Sequence, residues 1–498
     1  MKDKFYITTP IYYVNDRPHI GHAYTTVVAD TFARFYRAKL GAENVFFLTG
    51  TDEHGTKVAE SAAKKGLEPQ AFADEVSAEY KNVWATLGVS YDEFFRTTDP
   101  RHEAFVGKFL TNLYDRGFIY KGTYKGWYCV GCEKYLSFEE IKDGACIHHP
   151  KTPLVEQEEE NYFFKLGDFS KKVLAEIEKG AAGDAGENSA DFRVGPSERR
   201  NEILGKIRQG VNDVSVSRPG VSWGIPLPWD KNHTVYVWVD ALINYLSATK
   251  IFADKNGSGD GDGKSRERFW PADLHIVGKD ILWFHSLVWP GLLLASDLPL
   301  PKNVFAHGFF TVDGQKMSKS LGNVIDPLAL VAEYGVDATR YLLISAFAFG
   351  SDGDISLEKF KEKYNADLAN GLGNLVARVA KLAEKLEKNP VENRRAAGAT
   401  DAAENFLPEV EKAFEENRPD KALDSIFNRV KTLDQKIAEQ TPWTKDGEEL
   451  TALLKLYIEE LFIIGANLSP FLPATSAKIL EIFSAEKISK PEALFLRK

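Results

Sequence analysis

Two histidines stand three residues apart in PIYYVNDRPHIGHAYTT, at His19 and His22, where a strand-like run gives way to a helical one. The start of a helix at the carboxyl edge of a parallel sheet favours an anion, and two imidazoles there would add hydrogen bonds to a phosphate. Gly21 between them has no side chain, which lets a flat ring or a phosphate come close to the backbone. Far downstream, DGQKMSKSLGN (Asp313 to Asn323) puts Lys316 and Lys319 in a polar, glycine-bounded loop. Two mobile ammonium groups suit charge that builds up on a leaving pyrophosphate. Taken alone, each motif also reads as a surface feature, a pair of cap histidines or a solvated basic loop. A third cluster is Cys129-x-x-Cys132 followed by Cys146-x-x-His149. Two closely spaced pairs of soft ligands match a tetrahedral structural zinc knuckle. It takes all three cysteines of the chain, with His148 competing for the fourth position. A redox Cys-x-x-Cys and scattered buried thiols are the other readings.

These groups need a frame to hold them. A chain of 498 residues exceeds a single core, so about three or four domains are expected. A hydrophobic share of 44% with 27% charged residues is that of a soluble globular protein. The net charge of −10 gives no support to nucleic acid, so an RNA partner would have to meet local basic surface. MKDKFYITTP enters a strand pattern without the features of a signal peptide, and three cysteines do not make a disulfide framework. The most apolar stretch, Ile281 to Ala295, is broken by His285, Pro290 and Gly291 and is too short to span a bilayer. A cytoplasmic protein is expected.

KFYITT and NVFFLTG read as strands, and between them Val27, Val28, Phe32 and Phe35 recur at helical spacing before a stop at Gly41. This βαβ-type opening predicts an α/β fold with a doubly wound parallel sheet, its first half in 1–117. An insertion follows over 118–225, rich in aromatics and turns, with the knuckle at about 124–162. TVYVWVDALINYL, LHIVGKDILWFHSLVW and NVFAHGFF then resume the alternation, so 226–307 completes the sheet. The lysine loop lies in 308–357, and from 358 to 498 strand signals give way to amphipathic helical runs that predict a bundle. The Gly/Asp-rich stretches at 181–190 and 256–264 read as surface loops.

HIGH at one end of an α/β region and KMSKS at the other form the signature of class I aminoacyl-tRNA synthetases, which this sequence resembles. The insertion is too short for the editing domain usual in the Ile, Leu and Val enzymes. PIYYVNDRPHIGH, TGTDEHGTKV, VYVWVDALINY and HIVGKDILWFHS make the chain similar to the methionyl-tRNA synthetase family, bacterial-type with a single zinc knuckle, along nearly its whole length. The resemblance implies a Rossmann-type sheet, split by the knuckle insertion and followed by an all-α anticodon-binding bundle. It implies ATP-dependent joining of L-methionine to tRNA(Met), initiator and elongator, through methionyl-adenylate, with release of AMP and pyrophosphate. A cysteinyl-tRNA synthetase, the nearest alternative, would bind substrate thiolate at an active-site zinc.

Carried over by position, His19, Gly21, His22, Lys279, Asp280, Lys316 and Lys319 would meet ATP, with His19, His22, Lys316 and Lys319 catalytic. Asp52 would hold the α-ammonium, and Arg218 would lie near the carboxylate or ATP. Ile11, Tyr13, Trp238, Ala241, Leu242, Tyr245, Ile281 and His285 would line the side-chain pocket. A thioether is apolar and polarisable, so an aromatic box with Tyr and His donors at its end suits it. Asn374, Arg378 and Trp443 stand where the family reads the CAU anticodon, by stacking and by hydrogen bonds to exposed base edges. The implied cofactors are Mg2+ with ATP and one structural Zn2+ on Cys129, Cys132, Cys146 and His149. A monomer is expected, since the appended dimerisation domain of some members has no counterpart before Lys498. Cutting the chain near Ser356 is expected to abolish charging and to leave part of adenylate formation.

Overall fold

The computed structural model describes residues 2–132, 134–136, 140–182, 191–252, 266–317, 322–391 and 406–498. Both Gly/Asp-rich stretches fall largely outside these residues. So do Lys319 and the side chain of Lys316.

FYITTPIYY (β1, Phe5–Tyr13) and VFFLTGTD (β2, Val45–Asp52) are buried along nearly their whole length, as strands covered on both faces are. They pair in parallel, with helix α1 (Ile20–Leu40) crossing between them. The register slips by one residue between Thr8 and Ile11, so β1 carries a bulge at Pro10. A strand interior has no ladder donor to expect from proline, and the bulge accommodates it. The full sheet is parallel and six-stranded, in the order β3 (Glu93–Arg96), β2, β1, Leu274–Gly278, Asn303–His307, Arg193–Gly195. The winding reverses between β1 and Leu274–Gly278. The carboxyl ends of those two strands flank the crevice in which doubly wound sheets hold ligands. This is the α/β fold that the sequence predicts.

The insertion is built on a long antiparallel pair, Ile119–Cys129 with Val155–Phe164, and the cysteine cluster sits at its tip. One part of the 118–225 segment departs from expectation. Arg193–Gly195 returns to the main sheet and pairs with Asn303–His307 at its edge. Three residues carry no periodicity of their own, so the sequence hides this strand, and only its neighbour's exposed edge defines it.

Beyond Gly353–Ile355 the described residues form helices and connecting turns and coil but no strand, with long helices at Pro419–Gln440 and Gly447–Leu468. This bundle does not stand apart from the sheet. Phe35 of α1 stacks on Phe414 at 3.9 Å and lies 4.9 Å from Phe406, while Phe32 meets Phe414 edge-on at 5.2 Å. The helix that begins at the two histidines therefore has the sheet on one side and the bundle on the other.

Candidate active site

Helix α1 begins at the crevice, and its two histidines are its cap. His19 has extended backbone (φ −121°, ψ 176°), and its Nδ1 accepts from the Gly21 N–H at 3.1 Å. His22 Nδ1 in turn accepts from the His19 N–H at 3.2 Å, a reciprocal arrangement usually made by Ser or Thr with Glu or Gln. The rings stack at 3.8 Å, 19° from parallel. Because each Nδ1 accepts, the proton of a neutral ring sits on Nε2, and both residues are left as Nε2–H donors. Burial, and next the neighbouring His19, push the His22 imidazole well below its ordinary pKa, so it is neutral. The flat ring that fills the space above Gly21 is that of His19: a Cβ there would stand 2.9 Å from His19 Cε1.

Described residues on either side of the lysine loop come to the same place. Phe310–Val312 and Gln315–Lys316 form a hairpin closed by Asp313-Gly314, both at positive φ, the favoured chemistry for a two-residue turn. The hairpin ends at Met317, whose Cε is 3.9 Å from the Gly21 Cβ position. After the loop, the Ile325 carbonyl accepts from the Ile20 N–H at 3.1 Å. Met317 and Ile325, which bracket the undescribed residues of the loop, thus both meet the start of α1.

Trp238, Ala241, Leu242 and Tyr245 follow one stripe of the helix Val237–Ile251. Trp238 stacks on Phe284 at 4.4 Å, and Tyr245 Oη lies 2.8 Å from His285 Nε2. His285 Nδ1 donates to the Ile281 carbonyl at 3.0 Å, so its Nε2 accepts from the tyrosine. Burial pushes the His285 pKa down to about 4, which keeps the ring neutral. Ile11 and Ala241 are buried, Tyr13 and Ile281 half-buried. The Tyr13 hydroxyl lies 2.8 Å from where a Gly55 side chain would begin. Asp52, buried at the end of β2 opposite Tyr13, is close enough for its charge to act on Tyr245 and on His54. The structure thus brings Tyr13 and Tyr245 near Asp52. Phe284 is an addition that the sequence did not single out, although it adjoins His285.

Three expected site residues are already engaged. Lys279 pairs with Asp352 at 2.6 and 2.7 Å and lies 4.8 Å over Phe309. Arg218 bonds Ser215 Oγ and the Ser217 carbonyl, both at 2.8 Å, and covers Tyr236 at 3.9 Å. Arg378 bonds Asp434. Asn374, one helical turn before it, is exposed, and Trp443 is 48% exposed in the turn before Gly447–Leu468.

Four ligand atoms at the hairpin tip, from Cys129, Cys132, Cys146 and His149, all lie within 4.8 Å of one another. The recorded separations are 3.5 Å for Cys132–Cys146, 3.8 Å for Cys129–His149 and 3.2 Å for Cys132–His149. Tetrahedral zinc with these ligands needs roughly 3.5–3.8 Å, so the donor set fits. His149 turns inward through Nδ1, and His148 is exposed. Gly131 is required between the cysteines, since a Cβ would meet the His149 ring at 2.5 Å. The Gly131 carbonyl also accepts from Lys57 Nζ at 2.5 Å, which ties the hairpin tip to the helix Thr56–Lys65.

The histidines give the fold a two-sided pH response. Burial holds His22 and His275 well below the ordinary value and His285 and His307 at about 4. The unfolded chain takes up protons there that the native state refuses, so stability should fall as the pH drops below about 6.5. His54 is the reverse case. Burial would lower its pKa, but Asp240, Glu103 and Asp52 outweigh this and hold it up at about 10. Its contribution is present below about pH 6.5 and is lost as the pH rises through that folded value. Melting temperatures followed across this range should decline on both sides. A flat acid side would contradict the neutral burial of the four rings.

A family profile described as tRNA synthetases class I (M) matches residues 5–150 and 136–380. The methionine–tRNA ligase of Thermotoga maritima is 43% identical over 504 residues, covering 99% of this chain and 77% of its own length. That of Clostridium acetobutylicum is 40% identical and covers 100% of this chain and 78% of its own. Among solved structures, Mycobacterium tuberculosis methionyl-tRNA synthetase in complex with methionyl-adenylate superposes with a TM-score of 0.86 at 35% identity, with full coverage of both chains. The free form of the same enzyme gives 0.79 at 31% identity, covering 100% of this chain and 99% of its own.

Proposed function

The chain belongs to the methionyl-tRNA synthetases of class I, and from that premise we infer how its own residues activate methionine. The activity is ATP-dependent attachment of L-methionine to tRNA(Met) through methionyl-adenylate. In the first step a methionine carboxylate oxygen attacks the α-phosphorus, and the bond to pyrophosphate breaks. In the second the terminal ribose hydroxyl of the tRNA attacks the acyl carbon and AMP leaves. Positioning and charge stabilisation carry such transfers, so no strongly basic side chain is required.

The observation that supports this reading is the approach of Met317 and Ile325, on either side of the lysine loop, to the helix start capped by the two histidines. His19 and His22 would donate from Nε2 to ATP phosphates at the start of α1. Lys316 and Lys319 would meet the leaving pyrophosphate, and Lys279 would exchange Asp352 for nucleotide, alongside Asp280. Asp52 would take the substrate ammonium, with Arg218 as the cation for its carboxylate or for ATP. The thioether would lie between Trp238 and Tyr245–His285. Mg2+ would accompany ATP and neutralise phosphate charge. Asn374, Arg378 and Trp443 would read the anticodon, Arg378 by leaving Asp434. We read the protein as a cytoplasmic monomer serving initiator and elongator tRNA(Met), organised in the segments 1–117, 118–225 (apart from Arg193–Gly195, which joins the main sheet), 226–307, 308–357 and 358–498. ATP–pyrophosphate exchange screened across twenty amino acids tests the whole reading. Methionine alone should support exchange, and exchange driven equally by another amino acid would overturn it.

Cys129, Cys132, Cys146 and His149 would hold one Zn2+, whose chemistry is to cross-link the hairpin tip rather than to touch substrate. Elemental analysis should find one zinc per chain, and Cys132→Ser should lose it. His148→Ala should retain it. Loss of zinc from His148→Ala and retention by His149→Ala would reassign the fourth ligand.

A further inference from the structure

The residues after Asp52 are each fastened to a different element. The Glu53 carboxylate is buried and accepts from Arg96 Nε and Nη2 at 2.7 and 2.9 Å and from the Thr51 and Thr98 hydroxyls at 2.7 and 2.5 Å. Trp223 Nε1 donates to the Glu53 carbonyl at 2.6 Å, and the Gly55 N–H donates to the Trp223 carbonyl at 3.0 Å. Between them His54 turns inward and donates from Nδ1 to Asp240 Oδ2 at 2.7 Å. The other oxygen of Asp240 accepts from His102 Nε2, also at 2.7 Å, and His102 Nδ1 lies 2.8 Å from Ser247 Oγ. His54, His102, Asp240 and Ser247 are all buried.

Asp240 sits two residues past Trp238 and immediately before Ala241, on the helix that carries the pocket. Neither chemical step uses it. A buried carboxylate between two imidazoles gives little net stability over an apolar filling of the same volume, so what it supplies is a fixed geometry. We propose that His54, Asp240 and His102 are positioning residues for methionine. They lock the turn bearing Asp52 to the helix bearing Trp238, Ala241 and Tyr245, so that the site for the substrate's ammonium and the pocket for its side chain keep one separation. This rests on the reading of Asp52 and the pocket given above. The charges agree with it. Asp240, Glu103 (3.5 Å from His54 Nε2) and Asp52 face His54, and an imidazolium there offsets buried negative charge before the substrate's ammonium arrives.

The nitrogen used differs between the two histidines, and that makes the test specific. An Asn amide nitrogen can take the place of Nδ1, and a Gln amide nitrogen that of Nε2. His54→Asn and His102→Gln should therefore keep the methionine KM in ATP–pyrophosphate exchange within about threefold of wild type. His54→Gln, His102→Asn and Asp240→Leu should raise it about tenfold or more, with the ATP KM little changed. A purely structural role would lower the melting temperature and the fraction of active sites and leave the methionine KM of the folded enzyme alone. An unchanged methionine KM in His54→Gln and Asp240→Leu, or an equal rise in the ATP KM, would overturn the proposal. Ser247→Ala removes only the outermost hydrogen bond and serves where the inner replacements do not fold: a raised methionine KM supports the proposal and an unchanged one overturns it. Failure of the wild-type enzyme to exchange with methionine, or an unaltered KM in Asp52→Asn, would instead overturn the underlying reading of the site.

Discussion

Arg340→Met should cost the protein about 3–5 kcal/mol of stability and reduce both half-reactions, not charging alone. Arg340 and Asp30 are fully buried and pair at 2.7 Å. The same guanidinium donates to the carbonyls of Phe471 at 2.9 Å, Pro470 at 3.2 Å and Leu87 at 3.4 Å. One side chain thus joins the middle of α1, the end of the helix Pro69–Thr86 and the last turn of the bundle. Burial alone would raise the Asp30 pKa; Arg340, Arg34 and Ser90 outweigh it and hold the carboxyl below its usual value. Removing Arg340 strands that charge beside a single remaining cation and leaves three carbonyls without this donor. Urea denaturation measures the cost, and a loss under about 1 kcal/mol, the worth of a surface pair, would show that the clamp is not needed.

The same contacts revise the expectation for a chain cut near Ser356. The cut removes Phe406, Phe414 and Phe471, and so uncovers Phe32 and Phe35 on the helix that carries both histidines. Adenylate formation is therefore expected to be lost together with charging. The sequence alone could not have shown this. An apolar stripe on α1 says that a face is buried without saying against what, and the residues that cover it lie hundreds of positions downstream.

What the sequence made legible was local chemistry with a distinct spacing. The strand-to-helix junction at His19 and His22, the two ligand pairs of the knuckle and the aromatic stripe of Trp238 and Tyr245 all stand within short segments. What it hid depends on distant partners. His149 and His148 are neighbours of one type, and the turn that bonds the His149 N–H to the Cys146 carbonyl sets His149 beside the three cysteines. Asp240 reads as a polar residue on a helix until His54 and His102 arrive from two other elements. Lys279 reads as a nucleotide contact by resemblance, and nothing in its segment announces Asp352 as its partner.

His22→Ala and Lys319→Ala should each remove about 2–4 kcal/mol of transition-state stabilisation, slowing adenylate formation some 30- to 1,000-fold while the methionine KM moves little. For Lys319 the argument is chemical, since an ammonium matters most when charge builds on the leaving pyrophosphate. For His22 it is geometric. Its Nδ1 is already committed as acceptor to the His19 N–H, so only the Nε2 proton can reach a phosphate. The two nitrogens can therefore be separated by substitution. In His22→Asn the amide oxygen can replace Nδ1 and keep the helix cap, but nothing replaces the Nε2–H; stability should hold while the rate falls. In His22→Gln the amide nitrogen can reach the Nε2 position, so part of the rate should return at some cost to the cap. Because the ring is neutral in the native protein, the exchange rate should show no loss from His22 protonation between about pH 8 and 6. Pyrophosphate exchange on the two variants decides it. Equal rates in His22→Asn and wild type would reduce this histidine to a cap, and the phosphate contact would then fall to His19 and the lysine loop alone.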